Sequence, residues 1–353
     1  MRAQIDESDF ITSLLADMAY EATLTKGRLL SSIFLGGGTP SLMQAESVAR
    51  IIDAAQNFWG FHPDIEITLE ANPTSVEAAR FAGFAAAGVN RVSLGLQALE
   101  DSALQRLGRP HDVRQGLAAL AIAQRHFARV SCDLIYTREG QTVAAWEKEL
   151  AEALAFGTEH LSLYQLTIEP NTRFQTLHAQ GSLVLPEEDV AAQMFELTQA
   201  MTDAAGLPAY EISNHARAGA ASRHNLLYWT YGDYIGIGPG AHGRRTGFAT
   251  TRLARPESWR TAVGAKGHGM ESETALDSKC RAEEALLMGL RLRAGIDAEI
   301  FAARTGVALL DVLDHKALEQ LQRLGFLAFD GHHLQATGKG RLLTNYILGQ
   351  LLA

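Results

Sequence analysis

The sequence predicts an α/β protein. Its main body is a parallel sheet with helical crossovers, closed into a partial or full barrel, and a smaller helical domain follows. Three observations carry this. Apolar, β-branched-rich runs recur five times through the first half, helix-like segments with apolar residues at helical spacing separate them, and the runs are too continuously apolar for strands wet on one face. With 353 residues, 47% of them hydrophobic, the chain can bury one large core and one satellite.

The first run, Ser31-Ser32-Ile33-Phe34-Leu35, ends in Gly36-Gly37-Gly38-Thr39-Pro40. Three glycines in a row are costly to order, so something must approach that backbone closely. No Lys-Ser/Thr follows them and no G-x-G-x-x-G spacing is present, which weakens nucleotide triphosphate and dinucleotide readings. A small polar ligand such as an amino acid head group suits them better, because backbone N–H and C=O groups serve carboxylate and ammonium together.

The second run, near residue 64, carries Glu70 and Asn72; the third, near 91, ends at Gln97; the fourth, near 129, contains Asp133; the fifth, near 160, is closed by Glu169. Arg109 follows on the loop Leu107-Gly108-Arg109-Pro110-His111. Core strands would not choose these groups, and in such folds ligands gather at the carboxyl ends of the strands. Asp133 within an apolar strand requires a cationic or hydroxyl partner. A salt bridge to Arg109 is the plain structural alternative. Helical segments between the runs include 45–59, 75–88, 113–127 and 144–157, and another follows at 186–206.

From residue 281 the pattern is three helices, a hairpin turning at Asp330-Gly331 and a last helix, the order of a winged helix. Its eight Lys and Arg are balanced by eight Asp and Glu. It therefore reads as a packing or lid domain rather than a DNA reader. The whole chain carries a net charge of -9, which argues against a general nucleic-acid binder. No apolar run approaches the roughly 18 residues of a membrane span, and no secretory signal is visible, so a cytoplasmic location is expected. Cys132 and Cys280 are the two cysteines, in no metal-ligand spacing.

The segments "GGGTPS", "EANP", "RVSLGLQ", "GRPH", "DLIY", "LYQLTIEPNT", "YEISNHA", "HNLLYW" and "GIGPGAHG" stand in this order. In this the chain resembles the radical S-adenosylmethionine (SAM) family, in the branch that holds oxygen-independent coproporphyrinogen oxidase and the HemW-type haem chaperones. The resemblance implies a partial (β/α)6 barrel missing its first strand, with a C-terminal winged-helix-like domain. It divides the chain into a barrel core over 1–170, a barrel end with a connecting haem-motif region over 171–280, and the C-terminal domain over 281–353. SAM contacts fall on Gly37, Gly38, Thr39, Glu70, Gln97, Arg109 and Asp133. His224, Asn225, Tyr228 and Trp229 match the haem-binding H-N-x-x-Y-W motif, with His224 as the iron ligand and His242 as the next candidate.

Two departures stand against this. The family's [4Fe-4S] cluster sits on C-x-x-x-C-x-x-C, which this sequence does not contain, and without those thiolates no electron can reach the sulfonium. The missing piece is expected upstream of Met1. Relatives also carry Gly-Leu-Pro where Thr137, Arg138 and Glu139 stand, which leaves the shape of that loop open.

The resemblance implies a haem chaperone more than an enzyme, delivering haem to respiratory proteins. Its cofactors would be SAM, haem and, as a family property, the cluster. Its partners would be haem, haem-accepting respiratory proteins at the inner face of the membrane, and a second copy of the chain. The alternatives are oxidative decarboxylation of coproporphyrinogen III, or a cluster-free SAM- and haem-binding relative.

Overall fold

The computed structural model describes residues 6–38, 40–245 and 247–352. Six strands, β1 (Leu30–Leu35), β2 (Phe61–Ala71), β3 (Arg91–Gln97), β4 (Arg129–Tyr136), β5 (His160–Gln165) and β6 (Asn214–Ala216), lie side by side in sequence order. They form an open half-barrel. β2 to β5 are parallel, and β6 returns antiparallel against β5. All five expected strands are present, but the fifth stops at Gln165, leaving Glu169 on an exposed loop.

The chain divides into two compact units, Phe34–Leu42 with Ile67–Ala221, and Met1–Ile33 with Met43–Glu66 and Ser222–Ala353. In the first unit the two faces of the sheet differ sharply. Leu69, Val92, Leu94, Cys132, Leu134 and Leu161 are fully buried on the apolar face. The strand period of two puts the other set on the opposite face. There Glu70, Ser93, Ser131 and His160 form one cross-strand row, and Asp133, Ser162 and Asn214 form the next.

The helices Val113–His126 and Val143–Leu154 start within one residue of the sequence expectation, each behind a cap. Asp112 makes a capping box with Gln115, and Thr142 accepts from the Ala145 N–H. The segment expected as one helix over 75–88 is instead two short ones, Ser75–Ala78 and Phe81–Ala86. Glu77 explains the break. Its buried carboxylate accepts from the Ser41 hydroxyl, the Asn72 N–H at 2.8 Å and the Thr74 hydroxyl at 3.3 Å, so this turn is shaped by polar contacts as well as apolar spacing.

The second unit holds the helix Glu7–Leu24, which Asp6 caps. Phe10, Ile11, Leu14, Leu15 and Met18 are its helical signal in the sequence. Its buried face also carries Asp17 and Glu21. Asp17 accepts from Arg252 Nε at 3.0 Å, Trp259 Nε1 at 3.1 Å and the Gly269 N–H at 3.2 Å. Glu21 accepts from Arg252 at 2.7 Å and Arg245 at 2.8 Å. Arg252 and Arg245 lie on an antiparallel sheet of β7 (His242–Arg245), β8 (Phe248–Arg252) and β9 (Met270–Ala275), which sequence reading left unassigned.

The C-terminal region matches the winged-helix expectation. Its helices Ser278–Gly289, Ala298–Thr305 and His315–Arg323 precede the hairpin β11 (Leu327–Phe329) and β12 (His333–Ala336), and Thr344–Leu351 closes it. A short strand β10 (Ile296–Asp297) adds to the other side of β12. Leu286, Leu318, Leu321, Leu334, Ile347 and Leu351 fill its core.

Candidate functional site

The glycine turn after β1 answers one question directly. Gly37 has φ +98, a conformation L side chains rarely adopt, and a Cβ on Gly37 or Gly38 would meet no atom within 4 Å. The open space over these two is therefore not demanded by packing. Gly36 differs, because its Cβ would lie 2.5 Å from the Phe34 ring and 3.2 Å from Glu70 Cδ. Thr39 lies outside the described residues.

Glu70, at the end of β2, accepts the Gly37 N–H at 3.3 Å. Burial raises its carboxyl above the usual range, the charge of Asp133 adds to this, and the Gly37 contact opposes it. Asp133 is raised too, by burial, against hydrogen bonds from Ser162 and Ser93 and the charge of Arg91. Its required partner is thus a hydroxyl, Ser93 Oγ at 3.0 and 3.1 Å from the two oxygens. Two neighbouring carboxyls that resist ionisation are a natural receptor for a positive or hydroxyl-rich group, which relieves their repulsion.

Gln97 ends β3 with φ +69, an uncommon conformation for a residue other than glycine. The β3–β4 register shifts between Leu94 and Gln97. Gly95 makes this geometry workable, since a Cβ there would lie 2.6 Å from Gln97 Nε2. Arg109 follows on a loop held by its own N–H to Leu104 O at 2.9 Å and by His111, whose Nε2 lies 3.1 Å from Leu96 O. Burial lowers the Arg109 pKa, and its Nε has no partner. No ion pair joins it to Asp133 among the described residues, so the plain structural alternative is absent there.

Gly37, Glu70 and Asp133 are thus drawn together, with Gln97 and Arg109 at the exit of the adjoining strand. Ser93 and His111 were missed in the sequence. A signal existed: Arg-Val-Ser, Arg-Val-Ser and His-Leu-Ser open β3, β4 and β5, placing a serine third in three successive strands.

In the other unit, His224, Asn225, Tyr228 and Trp229 lie on one short helix, Arg223–Trp229. Ser222 caps it, accepting the Asn225 N–H at 3.3 Å. The Ser222 hydroxyl and the His224 N–H both donate to Glu66 Oε1 at 3.2 Å. His224 and Tyr228 are four residues apart and share a face, their rings 5.5 Å between centroids. Asn225 and Trp229 share the adjacent face. Tyr228 also packs on Tyr234 at 4.2 Å. His242 begins β7 and is exposed.

The donor sets suit two of the implied groups and not the third. Unhindered glycine backbone beside two raised carboxyls suits SAM, and a partly buried imidazole beside aromatic rings suits haem. The cluster has no such set. Cys132 is fully buried with its thiol pushed up by burial, Cys280 sits exposed on another helix, and no group of three or more His, Cys, Asp or Glu among the described residues could hold a metal ion.

Comparison with known proteins bears on family and fold. The Radical SAM superfamily matches residues 10–153 and the HemN C-terminal domain matches 276–343. The chain is 39% identical to the mitochondrial radical S-adenosyl methionine domain-containing protein 1 of Bos taurus, over 99% of this chain and 81% of that protein. It is 34% identical to the heme chaperone HemW of Escherichia coli, over 100% of this chain and 92% of that protein. The structure of coproporphyrinogen III oxidase (HemN) from Escherichia coli superposes with a TM-score of 0.83 at 21% identity, covering 100% of this chain and 85% of that one. This last likeness is one of fold.

Proposed function

Because the chain belongs to the radical SAM family, in the branch shared by HemN-like and HemW-like proteins, we propose that it is a SAM- and haem-binding member of that branch, receiving haem and passing it on. Among the described residues Cys132 and Cys280 form no set of thiolates that could hold a cluster. When bound, SAM would supply a sulfonium centre. The chain's own part is to orient that ligand. The Gly37 and Gly38 backbone meets its polar head, Glu70 and Asp133 take donors or positive charge, and Gln97 and Arg109 close the side at the β3 exit.

The observation that carries the haem half is the capped helix Arg223–Trp229, which sets His224 and Tyr228 on one face. Imidazole is a common axial ligand of haem iron, and the neighbouring rings offer flat apolar surface. Haem titration followed by absorption tests it. A Soret band that shifts or weakens in His224→Ala supports the reading, and an unchanged spectrum and affinity would remove His224 as ligand. Respiratory enzymes at the membrane are the proposed recipients, and among the described residues no helix is long and apolar enough to cross a membrane.

A second reading, oxidative decarboxylation of coproporphyrinogen III, is favoured by the HemN-type C-terminal match. Mass analysis separates the two. A carrier returns its haem unchanged, whereas the oxidase reading requires loss of carbon dioxide from the tetrapyrrole.

A further inference from the structure

Arg91, the first residue of β3, is 2% exposed, yet its guanidinium has no hydrogen-bond or ion-pair partner among the described residues, and Nε is enclosed without one. Its register neighbour on β2 is Thr68, which is fully buried with its hydroxyl also unpartnered. Leaving either group so is costly, and a buried cation more than a hydroxyl.

The neighbours do not relieve this. On β4 the residue opposite Arg91 is Arg129, a second guanidinium, and like charges directly opposite are destabilising. Arg129 has its own anion, Glu159 at 2.7 Å, and donates to Ala220 O at 2.6 Å. His160 on β5 is engaged at both nitrogens, with Ser131 Oγ at 2.7 Å and Tyr210 Oη at 3.0 Å. Burial, with the charges of Arg91, His215 and Arg129, holds it well below the usual histidine range, so it is neutral. Asp133 attracts Arg91 across a distance but turns its oxygens to Ser93.

What remains is one positive charge without a contact anion, beside an unused hydroxyl donor. A guanidinium offers paired N–H groups in a plane that matches a carboxylate. A dianion such as phosphate would bring surplus charge towards Asp133 and Glu70. We propose that Thr68 and Arg91 form a buried site for a carboxylate, supplied by a small acid or by the carboxylate arm of a larger ligand lying over the polar face of the sheet.

The probe is 3,3,3-trifluoropropionate, followed by fluorine NMR on the full chain. The wild type should show saturable broadening and a probe-dependent rise in Tm. Both should vanish in Arg91→Met, weaken about tenfold in Thr68→Val, and return in part in Arg91→Lys. Arg91→Met should also melt higher than the wild type without probe, because an unpaired buried charge is gone. Displacement by mesoporphyrin IX but not its dimethyl ester would identify the arm as a propionate, displacement by SAM a methionyl carboxylate, and displacement by propionate alone a small acid. Each of the three supports the site. Absence of saturable binding to the wild type, undiminished binding to Arg91→Met, or equal displacement by chloride or propanol would overturn it.

Discussion

Arg138 grips Glu149 through both terminal nitrogens, with neither side chain more than a tenth exposed. The same carboxylate accepts the Leu99 N–H at 2.7 Å and Gln141 Nε2 at 3.0 Å, and Arg138 also donates to Ile135 O at 2.8 Å. The pair therefore ties the exits of β3 and β4 to the helix Val143–Leu154. Arg138→Met strands a buried carboxylate and is expected to cost about 3–5 kcal/mol. Arg138→Met with Glu149→Leu should recover part of that, leaving the Leu99 amide unmatched. Urea unfolding of both singles and the double, read as a cycle, checks it.

His160 gives the fold a pH dependence of known sign. Below about pH 6.5 an unfolded histidine binds a proton, while burial and the neighbouring guanidinium charges keep the folded one neutral. Stability from this group is present above that pH and falls by up to about 1.4 kcal/mol per pH unit below it. Urea midpoints of the wild type and His160→Gln, compared from about pH 7 down to about pH 5, should diverge least at the acid end. Parallel curves would disprove the account.

Gly95→Ala tests whether the Gln97 geometry matters to ligand binding. The added methyl would lie 2.6 Å from Gln97 Nε2, and a flexible amide can swing away at small cost to the fold. SAM affinity by calorimetry should fall about tenfold, or 1.4 kcal/mol, with little change in Tm. Equal affinity would remove Gln97 from the pocket.

Ser222→Ala should cost about 1 kcal/mol of stability through the lost cap. It also removes one of the two donors on Glu66 Oε1, so the start of the motif helix loosens. Haem affinity is expected to drop, by less than in His224→Ala. Thermal melts beside haem titrations separate the two effects.

The strands were legible because each is an apolar run closed by turn residues, and the candidate site residues drew notice because polar groups stood where an apolar strand has no use for them. What escaped was set by long-range polar contacts. Nothing in the spacing of residues 75–88 announces that Glu77 will turn to Asn72 and Ser41. The residues 7–24 carry a helical signal, yet Asp17 and Glu21 on the buried face make that face look wrong until Arg245 and Arg252 are seen to meet it. Thr137, Arg138 and Glu139 read as a loop in doubt and proved to be pinned. Thr137 takes φ +56 and accepts the Leu166 N–H at 3.1 Å, and Glu139 accepts the Val184 N–H at 3.1 Å.

The two buried acidic side chains of the helix Glu7–Leu24, Asp17 and Glu21, find their guanidinium partners only after more than two hundred further residues have been made. During that interval an amphipathic segment waits with its carboxylates unpaired. The unit that holds the helix Arg223–Trp229 is thus complete only once Arg245 and Arg252 have been made, after the continuous stretch Ile67–Ala221. The order of synthesis therefore makes most of the sheet available for folding before the carboxylates of Asp17 and Glu21 can be paired.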